Sequence, residues 1–160
     1  MKEIKEAVYT GIIRMINHIQ YTILKIMSIL AIDFGLKRIG IAGSDELGIT
    51  SHPIKLVYND SKGEYFNEII SIIEERDPDL ILVGLPIKDD GRLKIQGDIE
   101  VFTKALRKLT LIKIEYWNEN FTSKEADEIL IKMNVSRKKR KSFQDMLAAC
   151  LIIDSYMRSL

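Results

Sequence analysis

From Ser28 onward, apolar residues fall into short blocks with two different spacings. "SILAID" is nearly continuous and "RIGIAGS" alternates, which predicts strands over 28–33 and 38–43 joined as a hairpin by a turn at Gly35. A short third strand is expected from Ile54 to Val57, after His52-Pro53. Ser61 with Glu64 has the spacing of a capping box, and Phe66, Ile69, Ile70 and Ile73 then mark one helical face, closed by Pro78. "DLILVGLP" predicts a buried strand over 80–84. After the polar loop "IKDDGRLKIQG", Ile99, Phe102, Ala105, Leu106 and Leu109 share the face of a second helix. "LIKIEYW" alternates as a fifth strand over 111–117. Thr122 and Glu125 start a helix that reaches about Met133, and a last helix follows "NVSRKKRK". Antiparallel strands first and strand–helix alternation afterwards define an α/β domain, with a five-stranded mixed sheet flanked by helices.

Residues 1–27 stand apart as an N-terminal extension to a domain over 28–160. Ile4, Val8, Ile12, Met15, Ile19, Ile23 and Ile26 step by threes and fours, an amphipathic helix pattern. Lys2, Glu3, Lys5, Glu6 and Arg14 break any apolar span, and the mixed charges fit neither a secretory signal nor a transit peptide. The segment reads either as an extra helix or as sequence upstream of a start at Met27. The second is preferred, because the folded pattern begins at Ser28.

With 160 residues, the chain is long enough for one domain with a proper core. A single cysteine, Cys150, excludes an intrachain disulfide and suits a reducing cytosol. Net charge is only +1, so attraction to nucleic acid has to come from local clustering.

The candidate chemistry begins with Asp33, an acid at the end of an apolar strand. Glu119 follows the fifth strand. Asp145 precedes Ala148, Ala149 and Ile152 by three, four and seven positions, so the acid shares their helical face and points at core or cleft. Gathered together, three carboxylates repel one another and titrate upward, and divalent cations relieve that conflict. Oxygen ligands suit Mg²⁺ or Mn²⁺ better than Zn²⁺, and paired ions of this kind support phosphodiester cleavage. Each acid also has a plainer reading: Asp33 as a turn-former supporting Gly35, Glu119 as a loop acid, Asp145 as the capping partner of Ser142. His18 and His52 are too few for a triad, and Cys150 reads as a small core residue.

Arg137, Lys138, Lys139, Arg140 and Lys141 run together just before Asp145, and Lys37 and Arg38 add two cations beside Asp33. Such clusters either solvate a helix start or neutralise phosphates.

These blocks resemble the YqgF/RuvX family, Holliday-junction-resolvase-like proteins that include pre-16S rRNA nucleases. The residues that carry the resemblance are "LAIDFGLKRIGIAGSDELG", "LILVGLP", Asp90-Gly91 and "VSRKKRKSFQDMLAACLI". It implies a ribonuclease H-like fold and a cytoplasmic protein that matures the 5′ end of small-subunit ribosomal RNA. The family's acidic positions fall on Asp33, Glu119 and Asp145. One block departs: in "NENFTS", Asn118 stands where the family has an acid, and Asn120 where it has an arginine. Asparagine cannot replace a bidentate guanidinium.

Three functions compete. The leading one is a metal-dependent endonuclease acting on structured RNA, or on branched DNA, with Asp33, Glu119 and Asp145 holding Mg²⁺ or Mn²⁺. In it Lys37, Arg38 and Arg137 to Lys141 bind phosphates. A non-catalytic nucleic-acid-binding ribosome-assembly factor is the second, motivated by Asn118 and Asn120. Third is the phosphate loop of an actin-like ATPase, which needs two lobes where this chain has room for one.

Overall fold

A computed structural model of the chain describes residues 6, 9–16, 27–45, 47–60, 62–86, 95–118, 122–133 and 135–160. Helix α1, described over 9–16, is exposed throughout. The domain proper runs β1 (Ile29–Phe34), β2 (Arg38–Ser44), β3 (Ser51–Tyr58), α2 (Tyr65–Arg76), β4 (Leu80–Leu85), α3 (Gln96–Leu106), β5 (Lys113–Asn118), α4 (Thr122–Lys132) and α5 (Arg137–Ser159). The five strands form one mixed sheet in the order β3-β2-β1-β4-β5. β1 pairs antiparallel with β2 and parallel with β4, which pairs parallel with β5.

Alternation along each strand sends side chains to two different layers. Leu30, Ile32 and Phe34 of β1 join Ile39 and Ile41 of β2 under α2 and α3, against Ile69, Ile73, Ile99, Phe102 and Leu106. The opposite parity, Ile29, Ala31 and Ala42 with Leu80 and Leu82, meets Ala149, Cys150, Ile152 and Ile153 of α5. Outside α5 lies α4, with Ala126 buried against Ala148 and Leu151. Both faces are covered, which explains why β1 and β4 read as near-continuous apolar runs.

Several expected boundaries shift, each for a local reason. β3 extends back to Ser51 and includes Pro53, because it is an edge strand with a register irregularity opposite Ile41 and Ala42, where a missing N–H is tolerated. Glu64 precedes α2 as its N-cap instead of closing a box within it. The turn is held by Asp60, whose Oδ1 accepts from the backbone N–H groups of Lys62 and Glu64; Ser61 lies outside the described residues. Leu109 is exposed, because α3 ends at Leu106 and a tight turn carries Leu109 off the buried face. β5 begins at Lys113, leaving Leu111 fully exposed. The basic run is the opening of α5 itself, so Ser142 and Asp145 both lie inside the helix and cannot form a cap.

Candidate active site

Asp33 lies inside β1, opposite Gly40 of β2, on the side that Ile29 and Ala31 present to α5. It is half-buried. A Cβ on Gly35 would stand 2.6 Å from the carbonyl oxygen of Arg38, so glycine itself is what the hairpin turn requires. Asn59 braces the same turn: its Nδ2 donates to the Gly35 carbonyl at 3.0 Å and its backbone N–H to that of Lys37 at 3.1 Å.

Gly40 is the seat of the site. A Cβ there would overlap the backbone carbonyl oxygen of Asp145 and lie 2.8 Å from the N of Met146. Helix α5 therefore rests directly on β2 at Gly40, and Asp145 is brought beside the strand pair that carries Asp33. Ala149, fully buried against Ala31 and Ala42, keeps the next turn close to the sheet. Farther along α5, Ser51 Oγ donates to Asp154 Oδ1 at 2.6 Å, and Trp117 Nε1 donates to Ser155 Oγ at 3.2 Å. Trp117 also packs edge-on against Tyr156. These ties, one from each edge strand, fix the rotation of α5 and so the direction of Asp145.

Asp145 is met by a cation. Arg38 Nε lies 2.8 Å from Asp145 Oδ2, and that oxygen is closed to solvent. Arg38 shares the parity of Gly40 and Ala42, which turns it toward α5; Lys37 is exposed in the turn. Of the predicted basic run, Arg140 is half-buried, and the side chains of Arg137, Lys138, Lys139 and Lys141 lie outside the described residues. Their backbone forms the first turns of α5, where no acid is present. Glu119 lies outside the described residues, directly after Asn118 at the end of β5. The Asp145 backbone thus rests on the residue paired with Asp33. No group of three or more His, Cys, Asp or Glu side chains placed to hold a metal occurs among the described residues.

The donor chemistry nonetheless fits a hard cation. Both acids offer oxygens. Burial pushes the Cys150 thiol up to about 11, so it supplies no thiolate. His52 sits on β3 with Nε2 3.3 Å from Arg76 Nη1, away from the acids. Sequence reasoning missed both Gly40 and the Arg38–Asp145 contact. The first had a signal, since a glycine inside a strand can mark close approach of another backbone. Nothing along the chain announces the second.

The class is set by the fold. The chain is similar to Thermus thermophilus RuvC in complex with a Holliday junction substrate, with TM-score 0.54 and 14% identity over 83% of this chain and 96% of that one. Fowlpox virus resolvase in its Holliday junction complex gives TM-score 0.54 and 18% identity over 83% and 98%. At these identities the likeness establishes a ribonuclease H-like, RuvC-type fold. The family described as RuvX, Holliday junction resolvase, matches residues 27–159, and the chain belongs to it. It is similar to proteins named "Putative pre-16S rRNA nuclease" in Bacillus thuringiensis (strain Al Hakam) and Bacillus anthracis (strain CDC 684 / NRRL 3495). Both are 35% identical over 136 residues, covering 83% of this chain and 99% of each relative.

Proposed function

We propose that the chain is a metal-dependent endonuclease that hydrolyses phosphodiester bonds in structured RNA, acting in the cytoplasm on the 5′ end of pre-16S rRNA. The observation that carries this reading is the seating of the Asp145 backbone on Gly40, the strand partner of Asp33, which supports a common site for the two acids. The names of the Bacillus relatives supply the substrate class.

Asp33 and Asp145 hold the cation, with Glu119 as the third ligand. When bound, Mg²⁺ or Mn²⁺ supplies the Lewis acidity that activates water and stabilises the leaving oxygen. The chain's own contribution is placement. β1 is buried on both faces and holds Asp33 rigidly, while the seat and the two side-chain ties hold Asp145. Phosphates are drawn by Lys37 and Arg38 and by Arg137, Lys138, Lys139, Arg140 and Lys141. Cations at a helix N-terminus oppose the macrodipole and cost local stability, but their field adds to it for an approaching anion.

The test is cleavage of a precursor fragment spanning the 5′ end of 16S rRNA with Mg²⁺ or Mn²⁺. Asp33→Asn is expected to lower the rate by about a hundredfold or more. Equal cutting by both proteins discards the metal role. Asn118, at the end of β5 in place of an acid, favours one second reading: a ribosome-assembly factor that binds RNA without turnover. Salt-sensitive RNA binding with no cleavage under any metal supports it. Preference for a four-way DNA junction redirects the assignment to a resolvase.

A further inference from the structure

Arg38 and Lys37 are neighbours in sequence but occupy different environments. Lys37 is exposed in the hairpin turn, whereas Arg38 opens β2 on the α5 side and reaches Asp145. Both side chains of the pair are mostly covered, 23% and 21% exposed, and Asp145 Oδ2 is closed to solvent. The guanidinium therefore lies against the acid assigned above to a divalent cation. Two cations on one carboxylate repel each other, so the Arg38 contact and metal binding at Asp145 oppose one another.

We propose that Arg38 is the resident counter-ion of Asp145 in the metal-free protein and is exchanged, on metal binding, to a phosphate of the nucleic acid. The inference rests on the metal-dependent nuclease reading. Arg38 holds the acid in place before the cation arrives. Once released, it presents a planar fork suited to a phosphate, between Lys37 and the basic start of α5. The α5 backbone carries Lys141 four residues before Asp145, about one helical turn. Metal and nucleic acid binding then help each other through Arg38, and the coupling is reciprocal. A residue that merely oriented Asp145 would do the opposite at the first step: its removal would weaken metal binding.

The experiment titrates Mn²⁺ into the full chain without RNA, reading free Mn²⁺ by electron paramagnetic resonance. Arg38→Ala is expected to bind Mn²⁺ about two- to fivefold more tightly than wild type, the range for releasing a partly exposed ion pair. Arg38→Lys, which keeps the charge, should return wild-type affinity. The second measurement is binding of the RNA fragment with and without Ca²⁺; the Ca²⁺-dependent gain should be smaller in Arg38→Ala than in wild type. If Arg38→Ala does not fold, Arg38→Gln carries the same comparison. Mn²⁺ affinity equal to or weaker than wild type in the neutral variant overturns the exchange. Asp145→Asn separates the two claims. If it loses Mn²⁺ while Arg38→Ala is unchanged, the metal site stands and only the exchange is lost. If wild type itself binds no Mn²⁺, both are lost.

Discussion

The two faces of the sheet are built from different side chains. Under α2 and α3 the layer is thick: Phe34 stacks on Phe102 with ring centroids 4.6 Å apart, and Phe66 stacks on the same ring at 5.5 Å. Under α5 it is thin, with Ala31, Gly40 and Ala42 on the sheet meeting Ala149 and the backbone of Asp145 on the helix. A thick layer fills volume and tolerates polar groups badly. A thin one brings the backbones of strand and helix into direct contact, as at Gly40 and Asp145. One face supplies stability, and the other gives up apolar area for proximity.

That contrast can be broken at each face. Phe102→Ala removes a buried ring from the thick layer and should cost about 3–5 kcal/mol in urea unfolding. The folded variant should keep the Mn²⁺ affinity of wild type. Unchanged stability would show that the aromatic stack is not the anchor of that face. Gly40→Ala should cost about 2–3 kcal/mol by forcing α5 away from β2. Unlike Phe102→Ala, it should also weaken Mn²⁺ binding, because Asp145 retreats from Asp33. A folded Gly40→Ala protein with wild-type Mn²⁺ affinity would break the link between close packing and the site.

The smallest effect sharpens the comparison without disturbing it. Cys150 is buried in the thin layer, and its thiol rises from an ordinary 9.0 to about 11. At pH 9 only ~1% of it is ionised in the folded chain, against about half when unfolded. Alkylation at that pH should therefore be slow until urea opens the fold. The sign for stability follows: an unfolded thiol releases its proton near pH 9 while the folded one retains it, so stability falls between about pH 9 and 11. Fast alkylation of the native protein would show the layer to be open to solvent.

Much of this architecture is legible along the chain. Alternation in "RIGIAGS" and the apolar run in "LILVGL" are consequences of which faces are covered, so strands and their order can be read locally. Asp145, Ala148, Ala149 and Ile152 share a helical stripe at fixed offsets, so the inward aim of the acid was also visible. Boundaries were harder. Pro53 argues against a strand anywhere except an edge or an irregularity, and being an edge is a property of the assembled sheet. Leu109 and Leu111 carry the right pattern yet are exposed, because pattern alone does not say where a helix stops.

By itself the sequence determined the alternation of elements, the two-faced sheet, the identity of the candidate acids and the presence of a concentrated positive charge. Each is a property of residue type and spacing. Only the tertiary structure decided that Gly40 is where α5 touches the sheet, and that Arg38 meets Asp145. Those facts join residues about a hundred positions apart in the chain. Their distances follow from strand register and helix rotation, which are set by the packing of the whole domain and appear in no local pattern.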